Sequence, residues 1–330
     1  MHPFSYVTVT RAGQAIDAAG GRAQSSFVAG GTTLLDLMKL NVETPRELID
    51  INKVPLDKIE HAPGGGLRIG AMVRNSDLAW HALVREQYPV LSEALLSGAS
   101  PQLRNMATTG GNLLQKTRCY YFRDTHCACN MRQRGSGCSA IGGYNRIHAV
   151  LGTSDQCIAT HPSDMCVALM ALGAVIHTQR AGGERSIPID KFYVPYGEDP
   201  SKLNVLNPGE LITAVSLPAM PYARRSHYLK ARDRASFEFA LASAAVVLDM
   251  HGEDIHAAHV ALGGVGTKPW LSPEAADALR GKKADQAAFA AAADAALRGA
   301  HGYEFNTFKI ELAKRVLTAA LTHAAGMKLA

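Results

Sequence analysis

Val28-Ala29-Gly30-Gly31-Thr32-Thr33-Leu34 sets two glycines and two hydroxyls between a strand-like stretch and a helix-like one. Ser26 to Ala29 reads as a strand that stops at the glycine pair, and Thr32-Thr33 can cap a short helix carrying Leu34, Leu35, Leu37 and Met38. Glu47-Leu48-Ile49-Asp50-Ile51 then reads as a second strand. This order makes the chain a mixture of helix and sheet rather than all-helical. A turn of this kind lets backbone N–H groups approach a pyrophosphate, and it serves equally as a bare connection. It is neither a Gly-x-Gly-x-x-Gly fingerprint nor a Walker A sequence, so ordinary NAD and ATP sites lose ground.

Outward from this turn the mixed signals continue. A Gly-rich turn from Pro63 to Gly66 precedes a strand at Leu67 to Gly70. Asn75 or Ser76 can cap a helix ending before Pro89. His161-Pro162-Ser163-Asp164 opens a helix with Met165, Ala168, Leu169 and Leu172 on one face, and Ala174 to Thr178 suits a strand. Pro218 and Pro221 mark a linker. Beyond it come strands at His227–Ala231, Ala244–Met250 and Ala257–Leu262, then helices at Asp285–Arg298 and Asn306–Ala325. Strands followed by helices suggest helices layered on one sheet face.

The chain has 330 residues, 47% hydrophobic and 19% charged, with a formal net charge of +5. That suits a folded protein of two domains with scattered basic residues, and nucleic-acid binding is set aside. No apolar run approaches the roughly 18 residues of a membrane helix, so membrane insertion is not expected. The start lacks a basic segment followed by an apolar one, so no export signal is expected.

Four of the six cysteines fall between Cys119 and Cys138, inside a segment from Lys116 to about Gly152 where periodic apolar residues give way to arginine, glycine and cysteine. Crowding of this kind favours metal or cluster ligation over a disulfide scaffold. Cys119, Cys129, Cys138 and Cys157 are separated by nine, eight and eighteen residues, with Cys127 a competing ligand. Zinc sites usually present close Cys-x2-Cys pairs, whereas a [4Fe–4S] cluster needs four thiolates without fixed spacing. Cluster, zinc and unligated thiols all remain open on spacing alone. Arg118, Arg123, Arg132 and Arg134 are placed to offset cluster charge, and Cys166 reads as a packed thiol. The thirteen histidines form no His-Glu-x-x-His pair, and no nucleophile elbow appears. No catalytic residue is assigned; the chemistry would be a cofactor's.

Asn105-Met106-Ala107-Thr108-Thr109-Gly110-Gly111-Asn112 can wrap a polar, planar ligand through backbone donors, or end a helix. Taken in order with the glycine turn and with His161-Pro162-Ser163-Asp164-Met165, it resembles the FAD-binding medium subunits of xanthine dehydrogenase and carbon monoxide dehydrogenase type molybdenum hydroxylases. Tyr228-Leu229-Lys230-Ala231-Arg232 also fits. The segments around Cys119-Tyr120-Tyr121-Phe122 and Cys157-Ile158-Ala159-Thr160-His161 resemble most the flavin subunit of bacterial periplasmic aldehyde oxidoreductase.

The resemblance implies an α+β fold: a two-lobed FAD-binding domain of the vanillyl-alcohol-oxidase-like type at 1–220 (lobes about 1–58 and 59–220, iron–sulfur loop about 116–158), then a smaller α+β domain at 224–330. It implies FAD held by Val28, Ala29, Gly30, Gly31, Thr32, Thr33 and Leu34 at its pyrophosphate, and by Thr108, Thr109, Gly110, Asn112, Ser163 and Asp164 along the flavin and ribityl portions. Leu206 and Lys230 would lie near the isoalloxazine. A [4Fe–4S] cluster would take Cys119, Cys129, Cys138 and Cys157, with Cys127 able to replace Cys129. The implied role is electron transfer, from a large molybdenum-cofactor subunit through two [2Fe–2S] clusters of a small subunit to this FAD and an external acceptor. The implied compartment is the cytoplasm, or the periplasm by co-export with the small subunit. Rival readings are a zinc-stapled scaffold, a self-sufficient flavin oxidase, and a flavin subunit of 4-hydroxybenzoyl-CoA reductase or xanthine dehydrogenase type.

Overall fold

The computed structural model describes residues 1–20, 24–197 and 199–328, so the last two positions of the expected C-terminal unit lie outside the described residues. A small parallel sheet comes first. Its strands β1 (Ser5–Thr8), β2 (Ser25–Val28) and β3 (Glu47–Asp50) have β3 in the middle. Parallel neighbours need crossovers, and α1 (Ala12–Ala19) and α2 (Leu34–Lys39) lie in them. Ala15, Ile16 and Ala19 of α1 pack against Ile49 and Ile51, while Met38 of α2 packs against Val28 and Leu48. The glycine pair thus sits between β2 and α2.

The second sheet is antiparallel, in the order β4-β5-β8-β6-β7. Its strands are β4 (Ile59–His61), β5 (Leu67–Gly70), β6 (Val175–Arg180), β7 (Gly183–Pro188) and β8 (Leu211–Leu217). The helix expected from Asn75 to Pro89 is divided into α3 (Asn75–Trp80) and α4 (Ala82–Gln87), because His81 turns extended with ψ 129. Arg74, not Asn75 or Ser76, precedes the first of these, and no side chain caps it. Pro89 opens α5 (Pro89–Ser97) instead of closing a helix; a first turn has no use for the missing N–H. Short α6 (Pro101–Met106), α7 (Thr109–Leu113) and α8 (Tyr120–Arg123) follow.

Helix α9 (Asp164–Ala171) starts where the sequence places it, with Ser163 accepting a cap bond from the Cys166 N–H at 3.1 Å. All eight of its residues are buried, not one face alone. Its apolar side chains share one core with β5, β6, β8, α5 and with Tyr228, Ala245, Val247 and Ala261 of the C-terminal sheet. A four-residue α10 (Ile189–Phe192) leaves β7.

The C-terminal sheet runs β12-β11-β10-β9, antiparallel throughout, from β9 (Ser226–Ala231), β10 (Ala242–His251), β11 (Asp254–Gly263) and β12 (Trp270–Leu271). Helices α11 (Pro273–Leu279), α12 (Gln286–Ala296) and α13 (Phe308–Ala324) share a second core with it. Among the described residues no helix is long and apolar enough to cross a membrane.

The cysteine segment is irregular apart from α8, yet it is tied down from the C-terminal side. The Val150 and Leu151 N–H groups both donate to the Val265 carbonyl, and His301 N–H donates to Val150 at 2.8 Å. Asn306, fully buried, donates to the His148 and Ala149 carbonyls. Lys309, also fully buried, donates from Nζ to the carbonyls of Ile147 (3.2 Å), His148 (2.8 Å) and Gly264 (2.5 Å). Each buried acceptor left without its donor costs about 1–3 kcal/mol. Lys309→Met should therefore lower unfolding stability by roughly 3 kcal/mol or more; a urea midpoint matching the parent's would refute this account of the buried Lys309 amine.

Candidate cofactor site

A cavity of about 730 Å³ opens between the loop after β2, the ends of α5 to α7 and the turn before β8. That falls within the roughly 300–1,000 Å³ of small-molecule and cofactor sites. Val28, Ala29, Gly30, Gly31, Thr32, Thr33, Leu34, Thr108, Gly110, Asn112, Asp164 and Leu206 line it. Thr109, Ser163 and Lys230 do not.

The loop after β2 is held by its carbonyls and leaves its donors free. Asn52 Nδ2 donates to the Ala29 carbonyl at 2.9 Å, and the Arg74 guanidinium donates both to Asn52 Oδ1 and to the Met106 carbonyl. Among the described residues none accepts a hydrogen bond from the backbone N–H of Gly30, Gly31, Thr32, Thr33 or Leu34. Free consecutive amides of this kind suit an anion. Gly30 is required for a steric reason the sequence did not disclose: a Cβ there would lie 2.0 Å from the Met106 carbonyl oxygen. Gly31 adopts φ +71, the left-handed region that favours glycine.

The second motif differs from expectation. Thr109 N–H donates to Val73, Gly110 N–H to Ala71, Asn112 N–H to the Thr108 carbonyl and Gly111 N–H to Thr108 Oγ1. The backbone donors from Thr109 to Asn112 are therefore spent inside the protein, and Thr109 also gives its hydroxyl to Val73. What this segment offers the cavity is glycine surface and the side chains of Thr108 and Asn112. Asn112 Oδ1 accepts from Ser163 Oγ at 2.5 Å and Gln115 Nε2 at 2.7 Å, which leaves Nδ2 for a ligand.

At the third motif Ser163 is a helix cap behind the wall. Asp164 reaches the wall and is gripped from β9, by the Tyr228 hydroxyl at 2.5 Å and by Lys230 Nζ at 2.8 Å. Lys230 also donates to the Ser97 carbonyl, and its side chain is only 2% exposed. It positions Asp164 and does not itself reach the cavity.

Other wall residues escaped the sequence reading. Phe237, Glu238 and Phe239 come from the connection before β10, where Phe237 holds φ +57 and the Arg118 guanidinium lies 4.8 Å over the Phe239 ring. No local motif marks them. Asn75 also lines the cavity, and its Oδ1 is buried with no partner among the described residues. Leu206 is placed by a clamp next to it. The Glu210 carboxylate accepts from Arg185, from Thr178 Oγ1 and from the Asn207 backbone and side chain. Burial alone would raise its pKa, but these donors outweigh burial and hold it down to about 2.

Cys119, Cys129, Cys138 and Cys157 line one small, enclosed pocket; Cys127 stands outside it with its thiol toward Asp124. Cys129 and Cys138 face each other across an antiparallel bridge, and His148 Nε2 lies 3.0 Å from Cys119 Sγ. Burial pushes the Cys119 thiol up to about 12, whereas a hydrogen bond from Cys157 holds Cys138 below the ordinary thiol range. No three of these sulfurs lie within 4.8 Å of one another. A single tetrahedral zinc, about 2.3 Å from each sulfur, would need them nearer to about 3.8 Å apart. Three of the four arginines expected to offset cluster charge have other partners, although Arg118 Nε and Arg123 Nη1 stay buried without one among the described residues. Arg118 and Arg123 pair with Asp36, and Arg132 donates to the carbonyls of Tyr121, Phe122 and Cys127. Cys166 is a packed thiol receiving the Tyr193 hydroxyl at 3.0 Å.

The family described as the FAD binding domain in molybdopterin dehydrogenase matches residues 2–220, and the CO dehydrogenase flavoprotein C-terminal domain matches residues 226–324. The chain is 52% identical over 325 residues to the aldehyde oxidoreductase FAD-binding subunit PaoB of Escherichia coli, covering 98% of this chain and 99% of that one. It is 28% identical to the glyceraldehyde dehydrogenase medium chain of Sulfolobus acidocaldarius, over 86% of this chain and 84% of that one. Among solved structures it is similar to carbon monoxide dehydrogenase from Hydrogenophaga pseudoflava, with TM-score 0.77, 25% identity and 98% of each chain covered.

The Glu210 clamp makes a pH prediction. A carboxyl whose folded pKa lies below its unfolded value adds stability above the unfolded value and loses it as pH falls through the folded one. That window runs from about 4.5 down to about 2. Glu210→Gln should destabilise the protein at neutral pH, and the gap from the parent should close across this window in acid-unfolding curves. A gap that is constant from neutral pH to pH 2 would contradict it.

Proposed function

The chain belongs to the FAD-binding medium-subunit family of molybdenum hydroxylases, and we propose that it is the FAD- and [4Fe–4S]-carrying electron-transfer subunit of a heterotrimeric, molybdenum-dependent aldehyde oxidoreductase. The observation that carries the FAD part is the run of free amides from Gly30 to Leu34 on the wall of a cofactor-sized cavity. The high identity to an aldehyde oxidoreductase subunit along nearly the whole chain supports the substrate class. A zinc-stapled scaffold has no support from either family match.

In this reading Gly30, Gly31, Thr32, Thr33 and Leu34 donate to the pyrophosphate, while Val28 and Ala29 form the floor beside it. Thr108, Gly110 and Asn112 border the ribityl portion, with Asn112 Nδ2 as a donor, and Asn75 Oδ1 supplies an acceptor. Asp164, steadied by Lys230 and Tyr228, and Leu206, steadied through the Glu210 clamp, stand toward the ring system. Thr109, Ser163 and Lys230 serve as supports. Bound there, FAD supplies a carrier able to take electrons singly and release them singly or as a pair. The chain's own work is to hold that group, exclude water with Leu206, Phe237 and Phe239, and leave substrate oxidation to a large molybdenum subunit, with electrons arriving through [2Fe–2S] clusters of a small one.

For the cysteines, the spread of three buried thiols and the half-buried Cys138 around one pocket favours a cluster over a single ion, and the position of Cys127 outside it favours Cys129 as the ligand. Iron analysis of the anaerobically purified chain should give about four atoms per protein. Cys138→Ser should lose most of that iron and Cys127→Ser should keep it; the reverse order would overturn the assignment. Gly30→Ala, which drives a methyl into the Met106 carbonyl, should cut bound flavin at least severalfold, read from the yellow absorption, with circular dichroism unchanged. Full flavin content in that variant would remove the amide loop from the site.

A further inference from the structure

We propose that Asp249, His251 and His256 form a binding site for a borderline divalent cation, Zn²⁺ foremost, on the hairpin joining β10 to β11. The site shares no residue with the cavity or with the cysteine pocket, and it stands whether or not the flavin reading holds.

The backbone builds it. Asp249 and His251 are two residues apart on β10 and so project to the same face. The β10–β11 register shifts between Asp249 and Met250: Asp249 pairs with Ala257 and Met250 with Ile255, which leaves His256 as the extra residue of a bulge. A bulge re-aims a side chain. Here Ile255 goes fully into the core while His256 stands outside, beside the other two. His256 Nδ1 lies 3.2 Å from Asp249 Oδ2, and His251 Nε2 lies 3.7 Å from Oδ1 of the same carboxylate. The two rings stack with centroids 5.1 Å apart and planes at 22°. One ligand atom from each residue lies within 4.8 Å of the other two, the one such group among the described residues.

Two imidazole nitrogens and a carboxylate oxygen form a zinc donor set, with bonds of about 2.0–2.2 Å. Ligand atoms at that distance from one ion stand about 3.3–3.6 Å apart in a tetrahedron, so the observed separations need only small rotations. The histidine side chains, 73% and 69% exposed, are free to make them, while Asp249 at 22% is the fixed anchor. Ion pairing alone explains the grouping poorly. Exposed pairs contribute little, so they do not account for two stacked rings gathered on one carboxylate. Nitrogen donors select Zn²⁺, Ni²⁺ or Cu²⁺ over Mg²⁺ and Ca²⁺, which prefer oxygen. Three protein ligands leave a fourth position for water or for a donor from another molecule.

The test is calorimetric titration of the purified full-length chain with Zn²⁺, beside His251→Ala, His256→Ala and Cys138→Ser. We expect one micromolar site per chain, weakened at least tenfold, about 1.4 kcal/mol, in each histidine variant and kept in Cys138→Ser. Co²⁺ bound at this site should show ligand-field bands without sulfur charge transfer. Binding that survives both histidine changes, that disappears only with Cys138→Ser, or that is equalled by Mg²⁺ would overturn the proposal.

Discussion

Everything about the cavity follows from one contact in which there is room for a hydrogen and nothing larger. The Cα of Gly30 lies against the carbonyl of Met106, so the loop after β2 and the end of α6 are pressed together. Arg74 binds that same carbonyl and reaches Asn52, which in turn holds Ala29. The loop is thereby fixed through its acceptors alone. Among the described residues the amides from Gly30 to Leu34 have no acceptor, and on the cavity wall they can serve as a preorganised set of positive dipoles.

The opposite wall depends on a buried ion pair rather than on backbone. Asp164 belongs to α9 and its two partners belong to β9, so the carboxylate fastens the flavin-family region to the C-terminal sheet at the edge of the cavity. Taking such a pair out of water is expensive unless every lone pair is used. Here Asp164 also accepts from the Tyr228 hydroxyl, and Lys230 also donates to the Ser97 carbonyl. The Glu210 carboxylate, held by Arg185, Thr178 and Asn207, applies the same logic beneath Leu206. Both walls are assembled from residues far apart in sequence, which is why each local motif is ambiguous when read singly.

Elements with strong periodic patterns were legible in the sequence. The strand before Gly30, the helix after Ser163, the long β10 and β11 and the helix capped by Asp285 all lie where patterning puts them. Misreadings arose where one residue changes direction. His81 breaks the helix expected between Asn75 and Pro89, and Pro89 starts a helix instead of following one. The Thr-Thr-Gly-Gly-Asn segment has the composition of a ligand loop, but its amides from Thr109 to Asn112 are committed to Ala71, Val73 and Thr108. The family resemblance puts Lys230 near the isoalloxazine; its burial against Asp164 is a tertiary fact. Phe237, Glu238 and Phe239 carry no signature and enter the wall only through the path of the chain.

The dependence of the thiol segment on its C-terminal anchors has a temporal side. Chains emerge from the ribosome N-terminus first, and Cys157 precedes Lys309 by nearly half the protein. Until Asn306 and Lys309 have been translated, the carbonyls of Ile147, His148 and Ala149 have no donors to gather them, and the four sulfurs have no common mould. The packing around the thiol pocket is therefore completed only after the final helix has been made. A nascent chain stalled short of its final helix would expose reactive sulfur to the surrounding redox milieu.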